Sequence, residues 1–87
     1  MELRIAAITI IVEDTESAQA VNEILHEYGQ YVIGRFGLPY RERKVNIICI
    51  VLEAPQDKIN ALSGKLGRLP GVSAKATYSN IITKLED

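Results

Sequence analysis

The stretch "ALSGKLGRLPGV", Ala61 to Val72, holds a Gly64-Lys65 pair of the kind that ends a phosphate-binding loop. Such a loop needs a second glycine five positions earlier and a magnesium-binding Ser or Thr after the lysine. Ile59 and Leu66 stand there instead, so a nucleotide loop is rejected. Gly64 then falls inside an amphipathic helix, where glycine costs about 1 kcal/mol relative to alanine. Close packing of that helix, or backbone approach by a ligand, is the expected compensation. Lys65 and Arg68 near the helix end oppose the negative pole of its dipole, and the same two cations could form an anion site with a partner subunit.

The remaining reactive side chains are sparse. His26 is the sole histidine and Cys49 the sole cysteine. One of each cannot supply the ligand set of a metal site within one chain, nor a nucleophile with a His partner and an orienting group. Cys49 in "VNIICIVLE" has no basic neighbour on its strand to activate the thiol and reads as a small buried hydrophobe. His26 reads as a solvated helix residue. Glu13 and Asp14 are adjacent, so extended backbone would point them apart rather than pair them for acid-base work. Asp14 or Thr15 suits a helix N-cap. "YRER", Tyr40 to Arg43, followed by Lys44, is the one basic cluster, at a solvated turn that could grip a carboxylate or phosphate. These residues do not make an enzyme, and no metal or cofactor is expected.

Composition is that of a single small soluble domain. The chain has 87 residues, 47% hydrophobic and 24% charged, with ten basic and eleven acidic side chains and a formal charge of −1. That balance offers nothing to attract a phosphate backbone or an anionic membrane. A lone cysteine fits a reducing cytoplasm. "MELRIAAITIIVEDTE" has only Arg4 as a basic flank and Glu13 and Asp14 where a small-residue cleavage site would stand, so it reads as a strand, and no apolar run approaches the ~20 residues of a membrane span.

The elements that must position these residues follow from periodicity. Leu3 to Val12 is rich in Ile, Thr and Val, with Ile5, Ala7 and Ile11 on one face and Ala6, Ile8, Ile10 and Val12 on the other, a central strand. Ala18, Val21, Ile24, Leu25 and Tyr28 recur at helical spacing, which predicts a helix over about 15–28 closed by a left-handed Gly29. "QYVIGRFGLPYRERKVNIICIVLEA" reads as two strands and a turn around Tyr40 to Lys44. Gly34, Gly37 and Pro39 make the first an irregular edge. Val45 to Leu52 is again apolar on both faces. Pro55 is set for the first position of a second helix, with Ile59, Leu62, Leu66 and Leu69 as its stripe before Gly67 and Pro70 stop it. "GVSAKATYS" alternates as an edge strand with one solvated face.

The order β-α-β-β-α-β, with right-handed crossovers, predicts an α+β ferredoxin-like sandwich. A four-stranded antiparallel sheet would carry two helices on one face, with residues 1–79 as the domain. Residues 80–87 form a tail that either extends the last strand or crosses to a neighbour. Both central strands are apolar on both faces, yet the helices cover one face, so the other needs a partner. A homodimer or homotetramer is expected.

Several blocks also carry a family resemblance: "ITIIVED", "VNEILHEYG", "GRFGLPYRE", "IICIVLEA", and above all "ALSGKLGRLPGV" followed by "AKA". In these the sequence resembles the small proteins assigned as regulators of the iron-only hydrogenase system, which are similar in fold to ACT domains and to the regulatory domain of nickel-responsive repressors. The resemblance implies a cytoplasmic, ACT-like, ligand-sensing subunit acting as a homo-oligomer, linked to hydrogenase maturation and to transcriptional regulation. It places candidate ligand contacts at Glu13, Asp14 and Thr15, at Arg35 and Arg41, and at Ser63, Gly64 and Lys65. Three features do not carry over. No helix-turn-helix or ribbon-helix-helix arm stands before the first strand, so direct nucleic-acid binding is not expected. The histidines of the nickel-responsive relatives are missing, and "VEDTES" lacks the glycine typical of amino-acid-binding ACT domains. The rival reading is a protein-interaction or assembly factor for metalloenzyme maturation that takes no small ligand. Copurification with a hydrogenase maturase would distinguish it.

Overall fold

A computed structural model describes residues 1–86. The chain runs β1 (Glu2–Val12), α1 (Ala18–Glu27), β2 (Val32–Tyr40), β3 (Val45–Ala54), α2 (Gln56–Gly67) and β4 (Val72–Lys84). The strands form one antiparallel sheet in the order β2-β3-β1-β4, with the two apolar strands in the middle. This is the ferredoxin-like βαββαβ sandwich that the residue patterns require.

The core lies between the sheet and the helices. Ala6, Ile8, Ile10 and Val12 of β1 face Val21, Leu25 and Tyr28 of α1 and Ile59, Leu62 and Leu66 of α2, joined by Ile48, Ile50, Leu52 and Ala54 of β3. The even-numbered residues of both central strands thus look inward, as the period of two demands. Their odd-numbered neighbours look out from the other face.

Element ends depart from the sequence reading in three places. Gly29 is not left-handed: among the described residues Gly71 is the glycine with positive φ, at 68°. The chain leaves α1 through a 3-10 turn, Gly29–Tyr31, in which the Tyr31 N–H bonds the Tyr28 carbonyl at 3.0 Å. That tightened turn satisfies the helix end without a left-handed cap. Pro55 sits one residue ahead of α2 with ψ 146°, its carbonyl accepting from the amides of Lys58 and Ile59. At the other helix start, Thr15–Ser17 form a 3-10 turn rather than the first turn of α1.

The sheet is longer than the layer that covers it. Beyond a bulge opposite Arg4 to Ala6, β4 continues to Lys84 opposite Glu2, and the Leu85 amide bonds the Met1 carbonyl at 2.8 Å. At the other end β2, exposed from Ile33 to Tyr40, overhangs the helices. The molecule is accordingly elongated, 47 × 18 × 17 Å.

Candidate functional site

The overhang of β2 creates a groove between α1 and the β2–β3 hairpin. Its middle is a cleft of about 260 Å³ bordered by Val12, Ala18 and Val21 on one side and by Pro39, Asn46 and Ile48 on the other. Toward the C-terminal end of α1 it joins a cleft of about 350 Å³ bordered by His26, Val32, Arg35 and Ile50. Toward the hairpin tip it joins one of about 340 Å³ bordered by Thr15, Tyr40, Arg41 and Lys44. Asn22 borders the first two clefts and Asn46 the first and third, so the three adjoin along the hairpin. An apolar trough with a few polar groups is the usual form of a small-molecule site.

Arg35 is the polar element of its interior. It pairs with Ile50 in register and so rises on the helix side of β2, where its Nη2 donates to the Asn22 Oδ1 at 2.9 Å. One contact leaves most of the guanidinium's five donors free. At the tip, Arg41–Arg43 form a 3-10 turn closed by Lys44 in the left-handed region, φ 53°, with its amide on the Arg41 carbonyl at 3.2 Å. This turn presents Arg41 and Lys44 to the mouth of the groove.

Of the residues singled out from the sequence, Thr15, Arg35 and Arg41 therefore meet along one groove. The Asp14 side chain and the Glu13 backbone hold the turn after β1. The Asp14 carboxylate accepts from the Glu16 amide at 2.9 Å, the capping role its position suggests. The Glu13 amide donates to the Gly71 carbonyl at 2.7 Å, and the Ser17 hydroxyl to the Pro70 carbonyl at 2.7 Å. "GRLPGV" thus ends α2, starts β4 and braces the turn into α1.

Ser63, Gly64 and Lys65 lie on α2, apart from the groove. Lys65 Nζ reaches across to the Glu27 Oε2 at 3.2 Å and sits 5.1 Å from the centre of the Tyr28 ring. Tyr28 first, and Glu27 second, hold the Lys65 ammonium above the ordinary lysine value. A raised lysine value means that this contribution to stability is complete at neutral pH and is lost as pH rises through the raised value. Both partners are largely exposed, so the bridge is a modest interhelical tie.

The expected crowding at Gly64 is not found. A Cβ there would meet only the Arg68 guanidinium, at 3.9 Å, an ordinary contact. Gly64→Ala is therefore expected to stabilise the chain by about 0.5–1 kcal/mol, read as a higher urea midpoint with unchanged slope. Destabilisation instead would mean that another chain packs on this helix face. Cys49 likewise departs from its reading: it is half-buried, on the sheet face turned away from the helices.

Sequence reasoning missed Asn22 and Asn46, whereas Lys44 was within the basic cluster it singled out. Asn46 left a visible signal, since it breaks the helix-facing row of β3 that continues as Ile48, Ile50 and Leu52. The described residues contain no group of three or more His, Cys, Asp and Glu side chains placed to hold one metal ion. No helix among them is long and apolar enough to cross a membrane.

Residues 4–76 match the TM1266-like family, described as "Iron-only hydrogenase system regulator, putative". The chain belongs to this family. TM1266 from Thermotoga maritima, a solved structure, is 39% identical, with a TM-score of 0.84 over 87% of this chain and 96% of that one. A formyltetrahydrofolate deformylase from Pseudomonas putida KT2440 is 17% identical and covers 88% of this chain but 29% of its own, with a TM-score of 0.64. That likeness establishes an ACT-like fold. Among curated proteins none matches the sequence.

Proposed function

We propose that this member of the TM1266-like family is a homo-oligomeric regulatory module that senses a small molecule in the groove between α1 and the β2–β3 hairpin. The supporting observation is the row of adjoining clefts along that groove, apolar at the middle, with Arg35 at one end and Arg41 and Lys44 at the other. Apolar walls supply affinity, and a cation with unused donors supplies orientation. The module works by binding: occupancy would fix the overhanging hairpin against α1, and any effect on transcription would pass through a partner that reads that change.

Thermal unfolding in the presence of small metabolites tests this reading. A ligand at 100 times its dissociation constant stabilises the folded chain by about 2.7 kcal/mol. For a domain of this size that corresponds to a rise of at least about 10 °C in Tm. Arg35→Ala should keep the fold, since its side chain is exposed, and lose most of that rise. A ligand that stabilises Arg35→Ala and the parent chain equally would place the site elsewhere.

A further inference from the structure

The sheet face opposite the helices is half apolar and half polar. On the hairpin side, Phe36, Leu38 and Tyr40 of β2 stand in register with Cys49, Ile47 and Val45 of β3. Phe36 is 62% exposed, Leu38 49% and Tyr40 45%. Ile11 and Val51 extend the same surface across the central strands. On the other side, β4 presents Ser73, Lys75 and Thr77 opposite Ile11, Thr9 and Ala7. The charges on this face are Lys75 and Glu53, and the Glu53 carboxylate accepts the Thr83 hydroxyl at 2.8 Å.

We infer that this face packs on the same face of a second copy, with Phe36 and Leu38 as its anchors. The inference rests on the homo-oligomer of the proposed function and assigns it a surface. Its size fits that occupant. Four strands about 4.8 Å apart and some ten residues long span roughly 600 Å² in plan, and the corrugated accessible surface is larger. A standard stable interface takes about 800 Å² from each partner. A single helix, about 10 Å wide, would cover two strands and leave the rest wet. Another sheet covers all four. A two-fold contact must also be complementary to itself. One lysine and one glutamate leave the face neutral, so two copies approach without net repulsion. The apolar half then supplies the dry centre and the β4 half the polar rim.

Self-association of the full chain, measured by sedimentation at micromolar concentration, tests the inference together with the rate at which Cys49 reacts with a thiol reagent. The unmodified chain should be dimeric or larger, with Cys49 at least about ten-fold slower than in unfolded protein. Phe36→Asp should weaken association at least about 30-fold, the cost of losing an anchor residue, and restore Cys49 reactivity. Leu38→Glu should do the same if Phe36→Asp fails to fold, as judged by circular dichroism. Ala61→Asp, on the exposed side of α2, should change neither readout. A monomeric unmodified chain with reactive Cys49 would overturn both this inference and the homo-oligomer. An oligomer that survives Phe36→Asp and Leu38→Glu with Cys49 reactive would overturn this inference alone.

Discussion

Gly71→Ala is expected to lower stability by about 3–5 kcal/mol and the thermal midpoint by more than about 10 °C. Gly71 has φ 68°, a conformation that costs a residue with a side chain about 1–2 kcal/mol. Its added Cβ would also lie 2.6 Å from the Asp14 Cβ and 2.9 Å from the Asp14 amide nitrogen. The obstacle includes backbone, so the turn after β1 must move. That movement would strain the Glu13-to-Gly71 and Ser17-to-Pro70 hydrogen bonds, each worth about 1 kcal/mol. A domain of this length has a total stability of roughly 4–13 kcal/mol, so the loss is a large fraction of it. Thermal unfolding by circular dichroism is the check. A midpoint within about 2 °C of the parent would show that the two turns are not braced against each other.

Ile50→Ala is expected to cost about 2–5 kcal/mol, by lost burial and the cavity left behind. Ile50 is fully buried on β3, lies between Ile8 of β1 and Arg35 of β2 in register, and borders the Arg35 end of the groove. Its neighbour Val51 faces the other side of the sheet and is partly exposed. Val51→Ala should cost under about 1 kcal/mol in the Phe36→Asp background, where that face stays open. Urea unfolding of both variants reads the difference. Equal losses at the two positions would contradict a core confined to the helix side.

The architecture was legible because burial repeats with a period that sequence displays. The alternation of Ala6, Ile8, Ile10 and Val12 against Ile5, Ala7 and Ile11 located a central strand and both of its faces, and the spacing of Val21, Leu25 and Tyr28 located the inner stripe of α1. Element ends were less legible. Gly29 stands where a left-handed cap would suit it, but the 3-10 turn to Tyr31 satisfies the carbonyls locally, and glycine tolerates either outcome. Gly71 is the reverse case: its necessity comes from Asp14, 57 residues away in sequence and adjacent only after folding.

The site was half legible for the same reason. Arg41 could be named from the basic cluster and Arg35 from the family resemblance, whereas the Arg35–Asn22 hydrogen bond exists because β2 overhangs α1, a relation that no local pattern encodes. Gly64 and Lys65 drew notice through a motif-like dipeptide, but the fold places them on α2, where Lys65 ties the helices together.

Native mass spectrometry of the protein purified gently from its own source reads subunit number and retained small molecules from one spectrum, and so checks groove binding and self-association together. A homo-oligomer carrying a defined small-molecule mass that Arg35→Ala fails to retain is the expected result. A bare monomer, or an oligomer whose adduct is unchanged by Arg35→Ala, would contradict it.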